Sequence, residues 1–562
     1  MGVADRLRIA KMAADRTRRS ALSRILYARP FRWQFGSPVA DQLVIVPQDL
    51  RTADPSFWHE IELGQFGLAG TIAVLNGRSP FELSPPNAAW ARTLHGFGWL
   101  RHLEASGQTE ARDMARRLAV EWTVRQRFGS GAAWEPAVVG RRLVSWLSHA
   151  GLLLDGADSK TYDAISLSLG QQLVRLSAGW RDAPDGYPRL LALSALVLAD
   201  LSIAGHDKQL HDAERFLGQE LQRQILPDGG HFSRNPSVLV ELMLDFLPLR
   251  QCFAARERRP PEALASAMRR MMAMLRFMRL GDGLLARFNG MSVASPAGLA
   301  TVIAYDDRHE ALTGLAPQSR YVRLQRGSTV VIMDAGAPPP LEASGESHAG
   351  CLSFEMSAGS NLIFVNGGAP SPADADWRAT ARATVSHNTL CLGETSSARL
   401  VRDKRLETLL GAPALKYPAN VSARVAEAGQ GVEAIASHDG YRERFGLVHT
   451  RRLVLEHPGR LAGFDRLEGP RIKVRLRQDL PFSIHFHMHP DVTCRFAEGP
   501  AAVEISLKDG HRWRFTVEGA TLAIEESTYF ADSAGPVRAL QIIARGATFG
   551  ESDVRWVMEA AT

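Results

Sequence analysis

"HEALTGLAPQSRYVRLQRGSTVVIMDAG", residues 309–336, divides the chain. Upstream of it apolar residues recur at helical spacing. From "STVVIMDAG" onward the texture is one of short β-branched and alternating runs with turns between them, which is a strand pattern. "HEALTGLAPQS" is therefore the expected junction. Working back, the segments "AWARTLHGFGWLRHLEAS", "VVGRRLVSWLSHAGLLL", "AISLSLGQQLVRLSAGW", "RLLALSALVLADLSI", "SVLVELMLDFLPLRQCF" and "PEALASAMRRMMAMLRFM" read as helices separated by Gly, Pro or Asp. Several are apolar on more than one side, as inner helices of a layered array must be. Working forward, "NLIFVNGG", "RRLVLEH" and "RWRFTVEG" carry the strand pattern towards the C-terminus, which predicts a large antiparallel sandwich. The expectation is a multidomain α + β chain: a basic N-terminal arm over 1–40, a helical domain over 41–316 and a β-sandwich over 317–562.

With 562 residues, 45% hydrophobic and 22% charged, the chain is long enough for two or three cores, and nothing in its composition suggests disorder. The net charge of +6 is slight. Nine Lys/Arg stand against Asp5 and Asp15 in residues 1–34, an arm suited to an anionic surface such as phospholipid headgroups, nucleic acid or an acidic glycan, with a solvated helix as the plainer reading. Contact with a membrane surface is the partner this arm suggests; nucleic acid is not expected. Cys252, Cys351, Cys391 and Cys494 have no CxxC spacing, so neither a disulfide framework nor a thiolate zinc site is indicated. The start lacks the apolar core of a secretory signal, which predicts a cytoplasmic location, with periplasm or envelope as the alternative. "LLALSALVLADLSIAG", residues 190–205, is interrupted by Asp200, is too short to span a bilayer, and reads as a buried helix.

Polar, reactive groups gather at punctuation points: "WEP" (134–136), "GWRDAPDGYPR" (179–189), "LPDGGHFSRNPS" (226–237), "GESHAG" (345–350), "ARATVSHNTL" (381–390) and "SHDGY" (437–441). In this order they resemble the heparinase II/III-like polysaccharide lyases, over roughly residues 80–560. The resemblance implies an N-terminal (α/α) toroid followed by a C-terminal antiparallel β-sandwich. It also implies β-elimination on a uronate-containing polysaccharide. The C5 proton is so weakly acidic that the neighbouring carboxylate must be neutralised, a base must take the proton, and an acid must protonate the departing oxygen. In the family an Asn or Asn-His pair neutralises, and a toroid Tyr and a sandwich His move the protons. A metal site of two histidines and one aspartate holds the sandwich loops.

This sequence departs from that pattern. Pro188 and Arg189 occupy the Asn-His position, Val238 stands where the tyrosine is expected, and Glu346 replaces the catalytic histidine. The metal-binding histidine remains as His348, the aspartate two residues on is Gly350, the later metal aspartate is Asn366, and His387 supplies the remaining ligand position. The candidates to carry protons are Tyr187, His231, Glu346 and His348. Those to hold substrate are Arg189, Arg234, Asn235, Trp134 and Asn388, a guanidinium being a bidentate partner for a carboxylate. No cofactor is certain. A divalent zinc or calcium ion would have only His348, Asn366 and His387, and two imidazoles with a neutral amide are a poor ligand set. Without metal, the two histidines are expected to bond each other's loops or nearby backbone. "HFHMH" puts His485, His487 and His489 on one strand face, and a polar sheet face is the preferred reading. Trp90, Trp99 and Arg101 are read as groove-lining or core residues.

The leading functional reading is a lyase acting on an acidic polysaccharide or oligosaccharide at the toroid and sandwich cleft. The alternative is a catalytically degenerate glycan-binding or envelope-associated protein on the same scaffold. A third, hydrolysis by paired carboxylates, would need Glu346 with Asp185 or Asp228. Oligomeric state is left open.

Overall fold

The computed structural model describes residue 40, scattered positions between 7 and 18, and residues 42–561 apart from 128, 294, 308–311, 402–413, 430, 470–478, 498–501, 533–534 and 549–550. The basic arm of residues 1–40, and the membrane contact expected of it, lie largely outside the described residues. Among those described, no helix is long and apolar enough to cross a membrane.

The chain forms two compact units. One comprises residues up to Gln224, Val240–Arg269 and Ala300–Tyr305; the other comprises Ile225–Leu239, Arg270–Leu299 and Asp306–Thr562. In place of a single cut near residue 316, the division is interleaved.

The first unit is helical. Its inner helix, Tyr187–Ser202, is the apolar stretch singled out above, and every residue from Leu190 to Ser202 is buried. Helix Pro136–Ser148 packs closely against it because Gly140 has no side chain: a Cβ there would lie 3.2 Å from Ala192 Cα. Around these run Ala88–Gly96, Thr109–Gln126, Ser159–Gly179 and Asp207–Gln224. Short polar side chains start two of them, as N-caps do. Asn87 Oδ1 accepts from the Trp90 amide at 2.8 Å and Asp158 Oδ1 from that of Thr161 at 2.9 Å. Trp90, Trp99, Trp122 and Trp146 are fully buried, so Trp90 and Trp99 belong to the core.

The second unit is built on antiparallel sheets. An eight-stranded sheet runs from Val421–Ala428 at one edge through Gly431–His438, Val448–His457, Arg460–Glu468, Ser552–Ala560, Arg512–Glu518 and Ala502–Ser506 to Thr493–Phe496. A four-stranded sheet orders Thr521–Tyr529, Val537–Thr548, Leu480–His487 and Leu390–Leu392; another orders Tyr321–Arg326, Thr329–Asp334, Phe354–Ala358 and Asn361–Phe364. Their inward faces share one apolar core. At its centre the Phe354 and Trp556 rings stack 5.6 Å apart. Gly463 sits opposite Trp556 in register, where a Cβ would fall 2.1 Å from the indole, so this strand pair accepts a tryptophan only because its neighbour is glycine.

Candidate functional site

In the helical unit, Tyr187 opens the inner helix and places its phenol in an ionic cluster. Its hydroxyl donates to Asp245 Oδ2 at 3.1 Å and accepts from Arg141. Asp245 lies between two guanidiniums. Arg141 donates to both of its oxygens at 2.9 and 3.0 Å, and Arg51 donates to Oδ1 at 2.9 Å while also reaching Glu241 at 3.0 Å. Burial pushes the Asp245 carboxyl up, but Arg141 and Arg51 outweigh it and hold it below the usual range. The Tyr187 phenol is pushed up by burial, with Arg141 acting in the opposite direction. Arg189 is not brought into this cluster. It pairs with Asp185 and donates to the Ala183 carbonyl at 2.9 Å. Trp134 donates its indole N–H to the Gln126 carbonyl at 3.2 Å and lies under the Arg175 guanidinium, 3.8 Å from the ring centre, in a packing role.

In the second unit, the glycine loop is an anchor. Gly229, at φ 88°, would place a Cβ 1.9 Å from the Arg270 carbonyl oxygen, so only glycine fits. Asp228 accepts from the amides of Gln318, Ser319 and Gly230, which occupies both of its oxygens and removes it as one of a hydrolytic pair. His231 Nδ1 accepts from the Ser233 amide at 3.2 Å, inside the same loop. Arg234 is buried and committed. It donates to Asp334 Oδ1 at 2.5 Å, to the Ser319 carbonyl at 3.2 Å and to the Ala337 carbonyl at 2.9 Å. Asn235 caps helix Pro236–Ala255, its Oδ1 accepting from the Ser237 amide at 3.0 Å.

His348 and His387 do meet. His387 Nδ1 donates to the Ala383 carbonyl at 2.8 Å, which leaves Nε2 as an acceptor; that atom is 3.0 Å from His348 Nδ1, so His348 donates to it. The bond needs one proton between the two nitrogens, and it is met with both rings neutral. Burial, above all, lowers both basicities, to about 4 for His387 and well below 6.5 for His348, where the neighbouring His387 and Arg382 add to the effect. Gly350 makes the pairing possible, since a Cβ there would lie 2.7 Å from the His387 ring. Asn366 is used elsewhere: Nδ2 donates to the Arg287 carbonyl at 3.1 Å and Oδ1 accepts from the Asn388 amide at 3.1 Å. Asn388 in turn donates to the Phe354 carbonyl at 2.8 Å and accepts from the His487 amide at 2.6 Å, a structural role in place of the expected sugar contact. The trio His348, Asn366 and His387 does not fit a divalent metal, because its donor atoms are already turned to one another and to backbone. Among the described residues no group of three or more His, Cys, Asp or Glu is placed to hold one. Glu346, expected near this pair as a base, is 66% exposed and paired with Arg378 at 2.6 Å. His485 and His487 stack 5.8 Å apart and bond Gln541 and Ser527, as a polar sheet face does.

Residues 310–557 match the family model described as Heparinase II/III-like, C-terminal. Over 546 residues, covering 95% of this chain and 92% of the relative, the sequence is 31% identical to FtsZ-localized protein C of Caulobacter vibrioides (strain NA1000 / CB15N). The chain belongs to the heparinase II/III-like family. Heparinase III superposes with a TM-score of 0.74 over 94% of this chain and 88% of its own, at 14% identity. A mutant of the heparan sulfate lyase HepC from Pedobacter heparinus gives 0.62 over 98% and 90%, at 15% identity. These likenesses establish the toroid-plus-sandwich fold; at such identities they carry no activity with them.

Three features of this heparinase II/III-like chain escaped the sequence reading. Arg51, Arg141 and Asp245 are separated by up to 194 positions and had no motif to link them. Glu355, in the strand Phe354–Ala358, is fully buried and pushed up to about 7 by burial, against the pull of Arg287 and the Asn366 amide. The third is a buried network in which Asp465 bonds Arg451 at 2.8 Å, His449 at 2.7 Å and the Trp556 indole at 2.9 Å.

Proposed function

We propose that this chain keeps the lyase scaffold without the β-elimination chemistry and works as an envelope-associated protein of the division apparatus. The observation that carries the reading is the neutral His348–His387 hydrogen bond, which closes the sandwich site onto itself. The same direction is supported by the candidate neutralisers. Arg189 and Arg234 already serve Asp185 and Asp334, and Arg234, dry in its pair, gives up its partner only at a cost of several kcal/mol. Glu346, an exposed carboxylate, would repel an anionic sugar. The division apparatus enters through the relative, which by its name is localised with FtsZ.

The test has two arms. A fluorescent fusion in the native host is expected to coincide with FtsZ, and the purified chain to co-sediment with FtsZ polymers. Incubated with a panel of acidic glycans, it is expected to release no product absorbing in the ultraviolet. A second reading, residual lyase activity, has one observation in its favour: the Tyr187 phenol stands against the Arg141 guanidinium, the arrangement a proton-transfer tyrosine needs. Unsaturated product that disappears in Tyr187→Phe would replace the first reading with the second.

A further inference from the structure

A groove of about 990 Å³ opens within the strand-rich unit, and five successive residues of the strand Val421–Ala428, Ala423 through Glu427, line it. Side chains of a strand point alternately to its two faces, so five in a row on one cavity means that the cavity runs along the strand's hydrogen-bonding edge. This strand is the edge of the eight-stranded sheet. It pairs with Gly431–His438 on one side only, in register from Val421 opposite His438 to Ala428 opposite Gly431. Among the described residues no strand pairs with its outer edge, where every second residue turns its N–H and C=O outward. The strand Tyr321–Arg326, across the groove, is different. Its outer edge is covered by the segment before it, with the Arg323 amide donating to the Gly314 carbonyl at 2.7 Å and the Ala316 amide to that of Tyr321 at 2.9 Å.

The groove is basic. Arg276, Arg323, Arg326 and Arg424 line it against a single acid, Glu427. Arg276 pairs with Asp306. Arg326 pairs with Glu427 at 2.7 Å yet keeps its Nε buried without a hydrogen-bond partner. Arg323 donates to the Phe277 and Arg279 carbonyls at 2.8 and 2.6 Å and, from Nε and Nη2, to the exchangeable side chain of Gln325 at 3.1 and 2.8 Å, and Arg424 has no ion pair among the described residues. Burial, with Arg279 close by, lowers the Arg323 guanidinium to about 10. Phe277, Leu315 and Val425 supply an apolar floor.

We propose that this groove binds an extended acidic segment of a protein partner, which adds to Val421–Ala428 as a further strand while its carboxylates meet Arg323 and Arg424. Outward backbone groups at strand spacing suit a peptide and not a sugar chain, and two guanidiniums, Arg323 and Arg424, with no ion pair among the described residues select an acidic one. The proposal is independent of whether any catalysis survives.

The full chain is titrated into a labelled short peptide alternating valine and glutamate, read by fluorescence anisotropy. Three companions are run: the valine–lysine peptide, the valine–glutamate peptide with alternate amides N-methylated, and a heparin oligosaccharide as competitor. Saturable binding of the acidic peptide is expected, weakening with salt. The lysine and N-methylated peptides are expected not to bind. Arg424→Glu, at an exposed position and with an unchanged melting temperature, is expected to weaken the acidic peptide several-fold. Equal binding of the N-methylated peptide, or no binding of the acidic one, would overturn the proposal. So would heparin binding that depends on Arg424 while the peptide fails, since the groove would then be a polyanion site.

Discussion

Each unit buries an aspartate among basic side chains, and the two settings differ in one respect. Asp245 of the helical unit is held by Arg51 and Arg141, whose side chains keep 12% and 18% of their exposure. Asp465 of the strand unit is held by Arg451 and His449, and all three are at 0%. A partly wet cluster can exchange an internal partner for water or a ligand at modest cost; a dry one cannot. The helical cluster therefore stays partly hydrated, whereas the strand-unit network has become core. Arg451 illustrates the second condition, since it also donates to the Leu352 carbonyl at 2.9 Å and the Asn388 carbonyl at 2.5 Å, fastening the "HNTL" segment from beneath.

The contrast can be broken most directly at the two acids. Asp465→Ala leaves Arg451 buried and unpaired, and is expected to cost about 3–5 kcal/mol in urea unfolding. Asp245→Ala is expected to cost less, about 2 kcal/mol, because Arg51 and Arg141 can rehydrate. Equal losses would show that the difference in exposure does not govern the two clusters.

Titration sharpens the comparison. His387 has a folded value near 4, below its ordinary 6.5, so the folded state binds fewer protons than the unfolded chain between those values. The stability this confers is complete above about pH 6.5 and is lost as pH falls towards 4. On the order of 1–3 kcal/mol is expected, and His387→Gln should flatten that part of the curve. Asp465 is depressed as well. Burial opposes this, but Arg451 and His449 prevail, so its contribution persists through that window and fades only below the ordinary carboxylate range. The smallest expected effect is at Tyr187→Phe, about 1 kcal/mol, because the Asp245 and Arg141 groups that lose the hydroxyl stay paired with each other; it is read from thermal unfolding.

Much of the fold was legible because periodicity is local. The buried stretch 190–205 and the strand pattern after residue 317 follow from residues within a few positions of one another. The glycine-loop, "HAG" and "HNTL" segments could be found, and the loss of the family's Tyr and Asn-His was readable by position. What those residues do instead was not. Arg234 meets Asp334 and Arg51 meets Asp245 across 100 and 194 positions, and such pairings leave no local trace. The meeting of His348 and His387 was anticipated as loop bonding, but its neutral tautomers depend on the Ala383 carbonyl, which no spacing rule supplies.

The interleaved boundary limits how this protein can be dissected. A fragment starting at residue 317 would discard Asp228, Arg234, Arg287 and Asn289, all of which belong to the strand-rich unit. Asp334 would lose the two side chains that meet its carboxylate, and the Ser319 amide its acceptor. The sandwich is thus stitched shut by thread drawn from the other half of the gene product, and severing the two halves would unpick it.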